Sequence, residues 1–401
     1  SIAAVGFALT AYGIGAEEQY VTRAEAAERV RTTLKWFWQA PQGPAATGVS
    51  GYQGFFYHFL DMRQGHRFRD VELSTIDTSL LLAGVLFCQS YFDRTDPVET
   101  EIRALADSLY RRANWQWARR TPPLVNMGWK PESGWEPYDW MGFNEAMLLY
   151  VLAMGSPTYP IDSTAWSRWT STYQWGGGGG ELAHVGFAPL FGHHYSQAWI
   201  DFRGIRDAYM RERGIDYFEN SRRATLWQRQ YAIDNPHGWA GYGANLWGLS
   251  ASDGPVDATI DYQGSPRRFF TYTARGASFT EVRDDGTIAP TAAAGSLPFA
   301  PEVVIPALLN MRTTYGDNLF GRYGFFDAFN PSFTFDTPVT QGRKVPGLGW
   351  FDTDYLGIDQ GPIVAMIANY RKELVWKTMR KNPYIVAGLK RAGFTGGWLA
   401  P

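Results

Sequence analysis

Glu145 stands between Phe143 and Met147 in Gly142-Phe-Asn-Glu-Ala-Met147, within a stretch whose apolar spacing predicts a helix over residues 141–154. A carboxyl about one turn inside an apolar helix is expensive unless it is paired or used. Burial among aromatic rings raises its pKa, which suits a general acid that must keep its proton near neutrality. Cleavage of a glycosidic bond needs such an acid and a second, ionised carboxylate; in an inverting enzyme the two stand roughly 6.5–9.5 Å apart, with room for water. Asp77, Asp327 in Gly-Phe-Phe-Asp-Ala-Phe and Asp354 in Asp-Thr-Asp-Tyr are the candidates for the second carboxylate, and the residues alone do not choose among them. Glu72, Asp139 and Asp359 also fall where helices are expected to begin. For Asp139 and Asp359 the simplest role there is capping free N–H groups.

The densest polar and aromatic cluster is Phe191-Gly-His-His-Tyr-Ser-Gln-Ala-Trp-Ile-Asp-Phe-Arg203. Adjacent His193 and His194 point apart on most backbones and lack a third ligand at metal-site spacing, so no metal is expected. His194, Tyr195 and Gln197 read instead as recognising hydroxyl groups. Trp239, Tyr242 and Trp247, separated by small residues in a long loop, read as platforms on which sugar rings stack. Glu72, Trp140, Asn144, Trp199 and Gln360 complete the expected substrate contacts. Residues 253–257 and 284–286 lack calcium-loop spacing and read as turns. No cofactor is expected.

Composition narrows the classes further. The 401 residues carry 19% charged side chains and a net charge of −2, which argues against a nucleic-acid partner. Aromatics reach 16%, with 17 Trp and 22 Tyr, many of them in glycine-rich loops. Cys88, the one cysteine, lies in an apolar run and is expected to fill core space, without an internal disulfide. The opening apolar residues read as a buried helix, because no basic residues precede them as they would in a signal peptide. No apolar run approaches the roughly 20 residues of a membrane span, so a soluble chain is expected, with any export signal removed.

The elements that must position these groups are helices. Helical spacing recurs over residues 2–14, 22–38, 75–92, 98–119, 141–154, 165–172, 195–210, 215–234, 301–315, 360–376 and 383–391. Short links alternate with long aromatic excursions over 39–74, 120–139, 173–194, 235–300 and 316–359. In an antiparallel array that alternation sends every long excursion to one end. The expected fold is all-α: one (α/α)6 toroid over residues 1–401, with small β-hairpins on the loop-rich face. A faint repeat, G-x-x-G-F-F-x-x-F at 51–59 and 321–329, predicts a recurring hairpin. Residues 271–287 predict another, and the run 176–180 a loop tip.

At Phe191 to Arg203, Gly142-Phe-Asn-Glu-Ala-Met147 and Gly357-Ile-Asp-Gln-Gly-Pro362, the chain resembles the glycoamylase-like domain of glycoside hydrolase family 144. The resemblance runs over essentially the whole chain. It implies an (α/α)6 barrel that hydrolyses β-1,2-glucan with inversion and releases sophorose-type oligosaccharides, in a bacterial enzyme exported to the periplasm or secreted. It assigns Glu145 as general acid and leaves the base open, since the water-activating carboxylate can act through a substrate hydroxyl. Relatives of the domain also cleave in exo mode or transfer glucan chains. The family's usual helical stretch ahead of the segment resembling residues 1–17 is missing, which suggests a trimmed or processed chain.

Other classes compete. A polysaccharide lyase on an α/α toroid would use a Tyr or His base with a neutralising Arg, and His194, Tyr195 and Arg203 keep that open. Its uronate substrates ask for a basic cleft, whereas the loop-rich ends are more acidic. A terpene cyclase needs an Asp-rich metal motif on a helix, and Asp284-Asp285-Gly286 sits in a turn. A glycan-binding module without catalysis would show the same stacking rings. The partner in the preferred reading is an oligo- or polysaccharide, and oligomeric state is not legible.

Overall fold

The structure, a computed structural model, describes residues 1–178 and 180–400; Gly179, at the expected loop tip, lies outside the described residues. Its helices are α1 (Ile2–Glu17), α2 (Arg23–Gln39), α3 (Thr75–Tyr91), α4 (Pro97–Arg112), α5 (Met147–Gly155), α6 (Thr164–Thr170), α7 (Phe191–Trp199), α8 (Ala208–Arg213), α9 (Tyr217–Asp234), α10 (Pro290–Gly295), α11 (Pro301–Tyr315), α12 (Gly357–Lys372), α13 (Leu374–Met379) and α14 (Pro383–Arg391). They gather with the strands into two compact units. The first is Ser1–Tyr173, Tyr195–Tyr217 and Arg371–Pro401; the second is Gln174–His194 and Phe218–Tyr370. Among the described residues no helix is long and apolar enough to cross a membrane.

In the first unit, helix composition sorts position. Nearly every residue of α3 and every residue of α5 is buried, so these helices have no solvent stripe. α2, α4 and α14 bury one face only and pack outside them, α2 along α4, α4 along α3, and α14 against α5. Starts follow local chemistry: Thr22 and Glu25 form a capping box on α2, and Asp96 caps α4 with Pro97 in its first turn. α1 lies along α3 at backbone contact. A Cβ on Gly84 would stand 2.0 Å from the Gly6 carbonyl oxygen.

The predicted helix ends shift where side chains offer the backbone another partner. The 98–119 helix stops at Arg112, and Asn114 Oδ1 then accepts the Trp117 N–H at 3.0 Å. The 195–210 helix is two: α7 ends at Trp199, and Asp207 caps α8 after a left-handed Gly204. The 360–376 helix breaks at Glu373, whose φ is +57°. The 141–154 helix begins only at Met147, which removes Glu145 from it.

The excursions hold more strand than expected. Residues 51–74 and 128–135 form one antiparallel sheet in the order β1 (Gly51–Tyr52), β2 (Phe55–Tyr57), β3 (Leu73–Ser74), β4 (Gly128–Lys130), β5 (Gly134–Trp135). Both copies of the G-x-x-G-F-F repeat are hairpins, one residue out of step: Tyr52 pairs Phe55, but Gly321 pairs Gly324. In the first, Gln53 and Gly54 take positive φ and make a tight turn. In the second unit, Gly276–Ala277 pairs with Val282–Arg283, a hairpin within 271–287 that turns at 278–281 and not at Asp285-Gly286, whereas Tyr272–Ala274 pairs back to Ala251–Asp253. Phe329–Asn330 and Arg343–Val345 flank Gly349–Phe351. A short helix, α10, interrupts the 235–300 excursion in an Ala-rich run.

Candidate active site

Two groups of carboxyls stand out, one in each unit. In the first, β2 and β3 pair Tyr57 with Leu73, and the His58 N–H continues the ladder to the Glu72 carbonyl at 3.0 Å. β3 runs straight into α3, so Asp77 falls in the first helical turn. Ser74 caps that turn: its Oγ accepts the Asp77 N–H at 3.1 Å and donates to Asp77 Oδ2 at 2.5 Å. His58 Nδ1 lies 2.8 Å from Glu72 Oε1, and Nε2 lies 3.5 Å from Asp77 Oδ1.

Glu145 occupies the turn just ahead of α5, not the helix interior. Local bonds shape that turn. Gly142 takes φ +71°, Asn144 Nδ2 donates to the Met141 carbonyl, and Asn144 Oδ1 accepts the Ala146 N–H. Ser196 on α7 bridges it, donating to the Glu145 carbonyl at 2.9 Å and accepting the Leu148 N–H at 2.9 Å. The residue is half-buried, yet its Oε2 is shielded from solvent and has no hydrogen-bond partner among the described residues. Desolvation, with the nearby charge of Asp77, pushes the Glu145 carboxyl up to about 7. Burial also lifts Asp77 above the usual carboxylate range, while His58 and Ser74 pull it back.

In the second unit Asp253, Asp327 and Asp352 each offer a carboxylate oxygen within 4.8 Å of the others, close enough to share a hard cation. Asp327 Oδ2 accepts the Asp253 N–H at 2.7 Å. Burial, then the charge of Asp327, lifts Asp359 well above the carboxylate range. Burial, aided by its acidic neighbours, pushes Asp352 up to about 7. Beneath them Arg275 and Asp285 form a fully buried pair, Nε to Oδ1 2.7 Å and Nη2 to Oδ2 2.8 Å. Arg275 also donates to the Ser252 and Phe270 carbonyls, tying the strands that carry Asp253.

The expected site residues divide accordingly. Glu145, Asp77 and Glu72 lie together in the first unit, and Asp327 in the acidic group of the second. Asp354 is exposed and meets Asp327 through its backbone, its carbonyl accepting the Asp327 N–H. Asp139 accepts from Asn126 and caps no helix, whereas Asp359 lies in the first turn of α12.

Most of the expected sugar contacts are structural. Trp239 and Trp247 are 1% and 0% exposed, which overturns their reading as stacking platforms. Trp239 Nε1 and Tyr242 Oη donate to Asp284, and Trp247 sits in an apolar cluster with Ile288, Val304 and Phe329. Trp199 stacks on Phe7 and donates to Thr10; Tyr195, also buried, meets Phe7 edge-on. Gln197 donates to the Tyr217 carbonyl, Trp140 to Thr75, and Gln360 to the Phe325 carbonyl. His194 is buried, bonded to Ser296 Oγ at 2.8 Å, and burial pushes its imidazole down to about 3. Arg203 pairs with Asp201 and Glu373. The trio that kept a lyase open is therefore committed elsewhere.

The sequence does not single out His58, Asp352 or Arg275, and Asp253 falls in a stretch with the character of a turn. Strand alternation across 55–58 and 72–74 would have placed His58 beside Glu72; nothing local marks Asp352 or Arg275.

The Glycoamylase family model matches residues 137–383. The exo β-1,2-glucooligosaccharide sophorohydrolase (non-reducing end) of Parabacteroides distasonis is 28% identical over 97% of this chain and 52% of its own length, so the chain spans about half of that curated relative. The endo-β-1,2-glucanase of Chitinophaga pinensis, solved with sophorotriose and glucose, superposes with a TM-score of 0.82 at 28% identity, covering 100% of this chain and 88% of that one. An endo-β-1,2-glucanase mutant from Talaromyces funiculosus, solved with β-1,2-glucan, shares the fold alone: TM-score 0.65 at 12% identity, over 98% of this chain and 79% of that one. With more than half its length matched, the chain belongs to the Glycoamylase family, as its resemblance to the glycoamylase-like domain of glycoside hydrolase family 144 implied.

Proposed function

We propose that this chain is a glycoside hydrolase, a single (α/α)6 catalytic domain over residues 1–401, that cleaves β-1,2-glucan with inversion and releases sophorose-type oligosaccharides. Glu145 carries the reading. Its shielded, partnerless oxygen and a carboxyl pushed up to about 7 are what a general acid needs to donate to a leaving glycosidic oxygen near neutrality. Asp77 is our choice of water-activating base, because its charge bears on Glu145 and because His58 and Ser74 offset part of the burial that raises it. Asp327 and Asp354 are the competing candidates. The names of the relatives, a sophorohydrolase and endo-β-1,2-glucanases, support the linkage.

Time-resolved product profiling on linear β-1,2-glucan, with anomers followed by NMR, tests the reading. Sophorose-type products that appear first as the α-anomer, and that vanish in Glu145→Gln, are expected. A wild-type enzyme that leaves β-1,2-glucan intact overturns it. Because one relative is named exo and another endo, the same profile separates disaccharide release from chain ends from a ladder of lengths. We place the enzyme in the periplasm or outside the cell, where such a polymer is met; cell fractionation checks that.

A further inference from the structure

His58 enters the chemistry proposed so far only as a neighbour of Asp77, yet its ring is held from two sides. Its backbone continues the β2–β3 ladder opposite Glu72, so the two side chains leave the sheet on one face. Nδ1 is 2.8 Å from Glu72 Oε1. The Phe59 ring stacks on the imidazole at 4.1 Å, 13° from parallel. Those two contacts fix the plane, and Nε2 then faces Asp77 Oδ1 at 3.5 Å, an ionic contact longer than a good hydrogen bond.

A neutral imidazole has one N–H and can serve one carboxylate. With an acceptor at each nitrogen, the doubly protonated ring is favoured. Burial opposes its charge, but the Glu72 hydrogen bond and the charges of Asp77 and Glu72 outweigh that and hold its proton above the ordinary imidazole range. The other groups facing this trio are Glu145 on the Asp77 side, Lys130 of β4 on the Glu72 side, and the Ser1 amine.

We propose that His58 is a positioning residue for the reaction: clamped by Glu72 and Phe59, it presents Nε2 to Asp77 and holds that carboxylate ionised and oriented while Glu145 keeps its proton. The proposal rests on the roles given above to Glu145 and Asp77. It extends the division of labour between two carboxyls, one kept neutral and one kept charged, to a third group that enforces the difference.

The test compares wild type, His58→Gln and the isosteric Glu72→Gln on β-1,2-glucan over a pH series, with thermal melts as a folding check. Expected for His58→Gln is a loss in kcat on the order of tenfold or more with KM within about twofold. Its acidic limb of kcat/KM moves to higher pH, because Asp77 loses a positive neighbour. Glu72→Gln lowers kcat by less and moves the acidic limb less, because loss of the Glu72 charge itself favours ionised Asp77. An unchanged kcat, or a loss uniform across pH, overturns the proposal. NMR titration of the His58 ring separates this from failure of the hydrolase reading. A wild type inactive on β-1,2-glucan removes that reading, while a His58 proton that is not held above the ordinary range, or that does not weaken in Glu72→Gln, removes the clamp.

Discussion

Trp239 and Asp284 are joined by a 2.8 Å hydrogen bond from the indole Nε1 to Oδ2, in a carboxylate that also accepts from Tyr231, Tyr242 and the Gly286 N–H. The tryptophan that sequence context offers as a sugar platform is thus a buried spoke of a four-donor hub, its ring face covered by Tyr262 at 4.6 Å. Trp239→Ala should destabilise the fold by roughly 3–5 kcal/mol, the range for emptying a large core site. Trp239→Phe should cost less, about 1–3 kcal/mol, for a donor withdrawn from a buried carboxylate. Urea unfolding measures both. KM per folded enzyme should not change; a raised KM in Trp239→Phe at unchanged stability would restore the platform role.

The alkaline limb of kcat/KM should lie near pH 7, where Glu145 gives up its proton. Glu145→Gln should lower kcat by at least about a hundredfold, the low end for a general acid, without moving KM appreciably. Initial rates across pH 4–9 read both.

Stability should move with pH in the same region. Glu145 binds its proton more tightly folded than unfolded, so its burial is tolerated at low pH and opposes folding as pH rises from its ordinary 4.5 through about 7. Asp352 acts in the same sense, from an ordinary 3.8 to about 7. Glu145→Gln should therefore match wild type near pH 4 and exceed it at pH 8 by up to roughly 3 kcal/mol, less whatever its partial exposure screens. Thermal melts at the two pH values check the sign; a variant less stable at pH 8 would count against a strained carboxyl.

Arg275 and Asp285 have no exposed side-chain area. Arg275→Met should destabilise by about 3–5 kcal/mol, because it strands a buried carboxylate. Arg275→Lys should recover little, since an ammonium cannot reproduce the two-pronged geometry. The double variant Arg275→Met, Asp285→Leu should regain much of the loss. Chemical denaturation of the three proteins tests the series.

Gly84→Ala should cost about 1–3 kcal/mol by overpacking the α1–α3 contact, where its methyl would stand 2.0 Å from a backbone oxygen. A melt at or above the wild-type temperature would show that the helices separate without penalty.

The helices were legible because their causes are local: apolar spacing in α3, Asp96-Pro97 ahead of α4, Thr22 with Glu25 on α2. The repeat at 51–59 and 321–329 announced two hairpins for the same reason. Glu145 was legible as a costly carboxyl among apolar neighbours, though the helix around it was misplaced: bonds from Asn144 and from Ser196, far along the chain, delay α5 to Met147. What only the tertiary structure decided is which partners distant residues meet. His58 joins Glu72 and Asp77 through strand pairing, and Asp253, Asp327 and Asp352 converge from three separate stretches of chain. A tryptophan carries the same letter whether its face is open to a sugar or its N–H is spent on a buried aspartate. Composition counts such rings, and only packing settles which way each one is used.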